Sequence, residues 1–210
     1  MKAFMNKVNA LLLAGCLLIG SMPAVRAAEG EVLFYDDFNG YATNESSTSM
    51  SAENITAYIK EVSKSDKAME LIPTISKGKL KAKWDKQSDS VVMAFDFKCE
   101  KATSALSLAA TNSQGREVTL LEMNTNGEIT TYDGKRLGGF GVGRTTNIAV
   151  VTNNIDEVFS VYVNGRCMAY DWNMPQSIVP NGMNIVVSSG ETTDARVYID
   201  NVRAYTGKNV

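Results

Sequence analysis

The chain predicts an all-β fold, a two-sheet antiparallel sandwich. Three observations carry this reading. The dipeptides Asn126-Gly127, Asp133-Gly134, Asn164-Gly165 and Asn181-Gly182 are hairpin-type turn signals. Alternating apolar stretches fill the intervals between such turns, without intervening helical patterns. Two apolar-aromatic segments carrying acidic residues, Leu33-Phe34-Tyr35-Asp36-Asp37-Phe38 and Val197-Tyr198-Ile199-Asp200-Asn201-Val202-Arg203-Ala204-Tyr205, bracket the rest, as expected of first and last strands lying side by side.

The first element is an export signal, residues 1–27. Lys2 and Lys7 form a positive start, Val8 to Ile19 is an apolar run too short to span a bilayer, and Val25-Arg26-Ala27 fits a cleavage site. Leu13-Ala14-Gly15-Cys16 also fits a lipobox, so acylation at Cys16 is the alternative. Either way the expected location is outside the cell or on its surface. Removing three basic and no acidic residues takes the net charge from −2 to −5. A mildly acidic domain has no electrostatic footprint for nucleic acid. No second apolar run is long enough to cross a membrane as a helix. Residues 28–210 then form one sandwich domain, a size at which a single large core can be buried.

Within it, residues 41–67 are expected to be a polar loop or insertion, because Thr43 to Ser49 is small and polar; 57–67 reads as a short helix or an edge strand. Strands are expected at about 78–84, 90–99, 104–111, 116–123, 127–132, 145–152, 157–164, 166–171, 183–189 and 195–205, each an alternating or β-branched run between turn residues. Gly138-Gly139-Phe140-Gly141-Val142-Gly143 precedes a strand and not a helix, so it is a flexible loop or bulged strand with Phe140 exposed, not a phosphate cradle.

Export permits a disulfide between Cys99 and Cys167. Strand parity opposes it. Cys99 shares a face with Met93, Phe95 and Phe97, whereas a two-residue turn at Asn164-Gly165 pairs Cys167 with Tyr162, away from Phe159, Val161 and Val163. The same register sets Tyr170 opposite Phe159, on the core face.

Several of these segments together resemble a known family. Phe34-Tyr35-Asp36-Asp37-Phe38 resembles the opening strand of concanavalin A-like (laminin-G-like) jelly-roll domains of bacterial secreted proteins. Gly78-Lys79-Leu80 resembles their second strand, Asn147-Ile148-Ala149-Val150-Val151 and Phe159-Ser160-Val161-Tyr162-Val163-Asn164-Gly165-Arg166 their paired central strands, and Tyr198-Ile199-Asp200-Asn201-Val202 their closing strand. The resemblance implies a jelly-roll sandwich of the lectin and glucanase type. It does not fix function, since the superfamily includes lectins, carbohydrate-binding modules, glycoside hydrolases and polysaccharide lyases.

The chain has no histidine, which removes Ser-His-Asp and Cys-His nucleophiles and histidine-ligated metals. No alternating carboxylates of the kind found in laminarinase-like relatives occur, and Asp156-Glu157 is an adjacent pair facing opposite sides of a strand. No catalytic residue is assigned. Asp37 and Asp200 are the metal candidates: if the terminal strands pair, two carboxylates with backbone oxygens suit Ca²⁺, which similar carbohydrate-binding sandwiches hold near their chain ends. Otherwise they are edge charges or loop caps. Trp84, Tyr162 and Trp172 are the candidates for stacking on a sugar; packing is the competing role for each tryptophan. The expected function is non-catalytic binding of a glycan or cell-surface polysaccharide. The alternatives are a structural or adhesion domain, and a glycoside hydrolase or lyase with an atypical site.

Overall fold

The computed structural model describes residues 30–100, 104–189 and 196–207. The export segment and Cys16 lie outside the described residues. All regular structure described is strand: β1 (Val32–Asp36), β2 (Ser51–Glu53), β3 (Ile55–Ser63), β4 (Asp66–Pro73), β5 (Lys77–Lys83), β6 (Ser90–Cys99), β7 (Ser104–Thr111), β8 (Glu117–Met123), β9 (Glu128–Thr131), β10 (Arg136–Gly139), β11 (Thr146–Asn153), β12 (Val158–Val163), β13 (Arg166–Asn173), β14 (Gly182–Ser189) and β15 (Val197–Thr206). The larger sheet runs β13-β12-β11-β6-β15-β4-β3, with β1 also on β15; the smaller runs β10-β9-β8-β7-β14-β5-β2. All pairings are antiparallel. No helix among the described residues is long and apolar enough to cross a membrane.

Alternation builds one core between the sheets. In β6, Phe95, Phe97 and Cys99 point inward and Asp96 and Lys98 outward; in β5, Leu80 and Ala82 point inward between outward lysines. Each fully buried Phe stabilises the sandwich by about 1.5–3 kcal/mol relative to an exposed one. Phe140, expected to be exposed, instead packs edge-on against Phe97, their ring centroids 5.1 Å apart. The register of β10 shifts between Arg136 and Gly138, so the glycine-rich segment starts as a bulged strand. Asn181-Gly182 is no hairpin: Gly182 opens β14, where a Cβ would meet Thr111 Oγ1 at 2.5 Å.

Residues 41–67 are part of the sandwich, not an insertion. They contain β2 and the edge strand β3, and Asn54, with φ 54°, turns the chain from one sheet to the other. The polar loop is tied down. Asp36, nearly buried, accepts hydrogen bonds from Ser47 Oγ (2.9 Å), Tyr41 OH (3.2 Å), the Phe38 N–H (2.9 Å) and Ser49 Oγ. The Asn44 N–H donates to the Ile59 carbonyl and the Ile59 N–H to the Glu45 carbonyl, both at 2.8 Å, so the loop also covers the open edge of β3.

Strand β4 was not expected. Asp-Lys-Ala-Met-Glu-Leu-Ile is rich in helix formers, but pairing with β3 and β15 on either side makes it a strand. The terminal strands do lie side by side, Tyr35 opposite Arg203 and Asp36 opposite Val202. One edge of β15 thus serves two partners: Val197, Tyr198 and Ile199 pair with β4, and Val202 onward with β1. The register of β15 on β6 slips between Asp200 and Arg203, where Asn201 takes φ 50°.

Candidate functional site

That fork opens a groove on the surface. Strand β1 leaves β15 at Asp36, β4 pairs with it only from Met69, opposite Ile199, and the bulge at Asp200-Asn201 forms the floor. The groove has a volume of about 680 Å³ on the outer face of the larger sheet. Its walls include Tyr35, Asp37, Asn39, Asp66, Asp96 and Tyr198.

Asp96 and Asp200 are direct cross-strand partners. Like charges so placed repel. Asn201 mediates between them: its Nδ2 donates to Asp96 Oδ2 at 2.9 Å and to Asp200 Oδ2 at 3.1 Å, while its N–H donates to Asp200 Oδ1 at 2.6 Å. Asn147 Nδ2 donates to Asp96 Oδ1 at 2.6 Å. Burial pushes the Asp200 carboxyl up from 3.8 to about 7; the charges of Asp66, Asp96 and Asp37 add to the rise, and the Asn201 N–H opposes it. Tyr35 is half exposed and donates to Asp37 Oδ2 at 3.2 Å; burial, then Asp37, pushes its hydroxyl up to about 12. The Tyr198 hydroxyl is tied to Glu70 Oε1 at 3.2 Å and its ring lies 5.9 Å from Lys98 Nζ, leaving Tyr35 the better placed aromatic.

The fold therefore brings Asp37 and Asp200 to one groove. Among the described residues, no three Cys, Asp or Glu side chains are placed to hold a metal ion. A Ca²⁺ cage built from side-chain carboxylates alone does not fit.

The aromatic candidates separate. Trp84 is 5% exposed and its Nε1–H donates to the Pro180 carbonyl at 3.3 Å, so its ring belongs to the core and offers no face to a ligand. This corrects its assignment: the alternation of β5 carries it inward. Trp172 is partly buried, opposite Phe159, with Lys135 Nζ 3.8 Å from its ring centroid. The lysine occupies the face that a sugar would need. Tyr162 faces outward opposite Cys167, as expected. Tyr170 does not face the core. The β12–β13 register shifts twice, between Phe159 and Val161 and between Val161 and Tyr162, so Phe159 meets Trp172 and Tyr170 is 66% exposed. Cys99 is buried and Cys167 exposed, both as free thiols, and burial pushes the Cys99 thiol up to about 11.

Sequence reasoning missed Tyr35, Asp66, Asp96 and Asn201. Asp96 had a signal, a carboxylate between Phe95 and Phe97. Asp66 had none, because its strand was not foreseen.

No protein-family model matches the chain, and no curated protein matches it in sequence. Solved structures do match in shape. A sialidase superposes with TM-score 0.62 at 16% identity over 85% of this chain, which spans only 19% of the sialidase. The Emp47p carbohydrate recognition domain gives 0.57 at 13% identity, over 83% of this chain and 95% of that one. A Bacillus subtilis protein of unknown function with a galectin-like fold gives 0.55 at 8% identity, over 87% and 99%. At such identities the likeness speaks for architecture alone: the chain is an all-β, two-sheet antiparallel sandwich.

Proposed function

We propose that this protein is an exported, non-catalytic glycan-binding domain, and that the groove between β1, β4 and β15 is its binding site. One observation carries the reading. A carbohydrate-recognition-type sandwich here opens a groove where a half-exposed aromatic, Tyr35, stands beside carboxylates and amides, Asp37, Asn39, Asp66 and Asp96. An aromatic face covers the apolar side of a pyranose, and carboxylate and amide oxygens accept from its hydroxyls. Few cations line the groove, which disfavours acidic sugars. The concanavalin A-like assignment, location outside the cell and a Ca²⁺ ion on Asp37 and Asp200 belong to the same proposal. Titration calorimetry against neutral oligosaccharides, with Tyr35→Ala and Asp96→Asn as controls, tests it. Binding that both variants leave unchanged would move the site elsewhere.

A second reading, glycoside hydrolysis, is favoured by the unequal pair Asp96 and Asp200. Both accept from one amide nitrogen, at 2.9 and 3.1 Å, so the accepting oxygens lie no more than about 6 Å apart, which admits the roughly 5–5.5 Å of a retaining pair. Asp200, half protonated near neutrality, would act as acid and Asp96 as nucleophile. Failure to release reducing ends from any bound glycan would dismiss it.

A further inference from the structure

The outer face of the larger sheet carries a second set of exposed polar-aromatic side chains at its β12–β13 edge. Two register shifts in one short hairpin place Tyr170 and Asp171 together opposite Ser160. Asp171 takes φ 47°, a left-handed conformation that a non-glycine residue adopts at a cost of about 1 kcal/mol or more. The bulge turns two consecutive side chains, Tyr170 and Asp171, toward solvent, where regular alternation would expose one. Tyr162 lies on the same side; its hydroxyl is raised first by burial and then by the nearby Cys167, Tyr170 and Asp171.

The bulge is held firmly. The Asp171 N–H donates to Ser160 Oγ at 3.1 Å. On either side of the exposed pair, Ala169 is buried against Val161, and Trp172 sits on the core beneath the Lys135 ammonium. Among the described residues, the Tyr170 hydroxyl and the Asp171 carboxylate make no hydrogen bond to another side chain. The backbone strain is thus spent on presenting a large apolar ring and an unengaged carboxylate side by side, fixed in advance.

We propose that Tyr170 and Asp171, with Tyr162 beside them, form a second glycan-contact site, a stacking platform for the apolar face of a neutral pyranose whose hydroxyls Asp171 accepts. This rests on the glycan-binding reading above and deepens it. Asp96 of the groove, on β6, lies three strands from β13 and four residues along from the level of Ser160, about 20 Å away on the same face, so one polysaccharide chain can touch both sites. Two modest contacts on one chain raise avidity beyond either alone.

The test is affinity electrophoresis of the full chain through native gels containing agarose, a soluble β-glucan or a galactomannan, with melting curves for every variant. Wild type is expected to be retarded by at least one gel. Tyr170→Ala should weaken that retention about five- to ten-fold with an unchanged melting temperature, because the ring is exposed. Tyr170→Phe and Tyr170→Trp should keep it, and Asp171→Asn, which tolerates the left-handed backbone, should lose part of it. Retention unchanged in Tyr170→Ala but lost in Tyr35→Ala overturns the platform and leaves the groove. Equal loss in Tyr170→Ala and Tyr170→Phe overturns stacking. No retardation of wild type in any neutral gel overturns both.

Discussion

Asp200 faces Asp96 across the β15–β6 ladder, and the side-chain amide of Asn201 donates to both carboxylates. The pair is tolerable because Asp200 holds its proton up to about pH 7. The folded state binds this proton more tightly than the unfolded chain does. Its contribution is complete below the ordinary value of 3.8 and disappears as pH rises through about 7. Because the carboxyl is still partly in solvent, the loss should be about 1–2 kcal/mol. Denaturant unfolding of wild type should therefore show stability falling between pH 4 and 8, and Asp200→Asn should flatten that slope. A slope that the substitution leaves in place would refute the assignment.

Asp36 anchors the loop that follows β1. Truncating it to Ala removes the acceptor that Ser47, Ser49 and Tyr41 share and leaves these hydroxyls only one another, and the segment that covers the β3 edge loses its tether. Chemical denaturation should report a loss of about 2–4 kcal/mol. Proteolysis should begin within residues 42–49.

Trp84→Ala should behave as a core deletion. The expected cost is about 3–5 kcal/mol, with glycan affinity per folded molecule unchanged. Loss of affinity in a variant as stable as wild type would restore the ligand role that its burial removes.

Gly78 sits where the β2–β3 corner crosses between sheets: a Cβ there would lie 2.5 Å from the Asn54 carbonyl oxygen and 2.6 Å from Ile55 Cβ. Gly78→Ala should destabilise by about 1–3 kcal/mol, measured by thermal melting. Gly115→Ala meets no neighbouring atom but has φ 79°, so its smaller penalty would come from backbone strain alone.

Adding Ca²⁺ to chelator-treated protein should raise the melting temperature if Asp37 and Asp200 hold the ion, and Asp37→Asn should remove the rise. A melting curve unmoved by chelator and by calcium would end the calcium proposal.

Alternation and turn dipeptides are local properties, and they made β5 to β9 and β11 to β15 legible, within a residue or two, together with the inward face of β6 and the outward face of Cys167. The apolar ends also foretold the β1–β15 seam. Tertiary structure decided what depends on distant partners. Strand β4 exists because two neighbours pair with it against its own helical preference. Tyr170 is exposed and Trp172 covered because two bulges shift a hairpin whose turn alone implies the opposite. The groove exists because β15 changes partners at Asp200, an event of three-strand geometry that no single stretch of chain encodes. Sequence periodicity specifies which way a side chain points while the ladder is regular; bulges and forks, where the ladder breaks, are where this protein places its candidate chemistry.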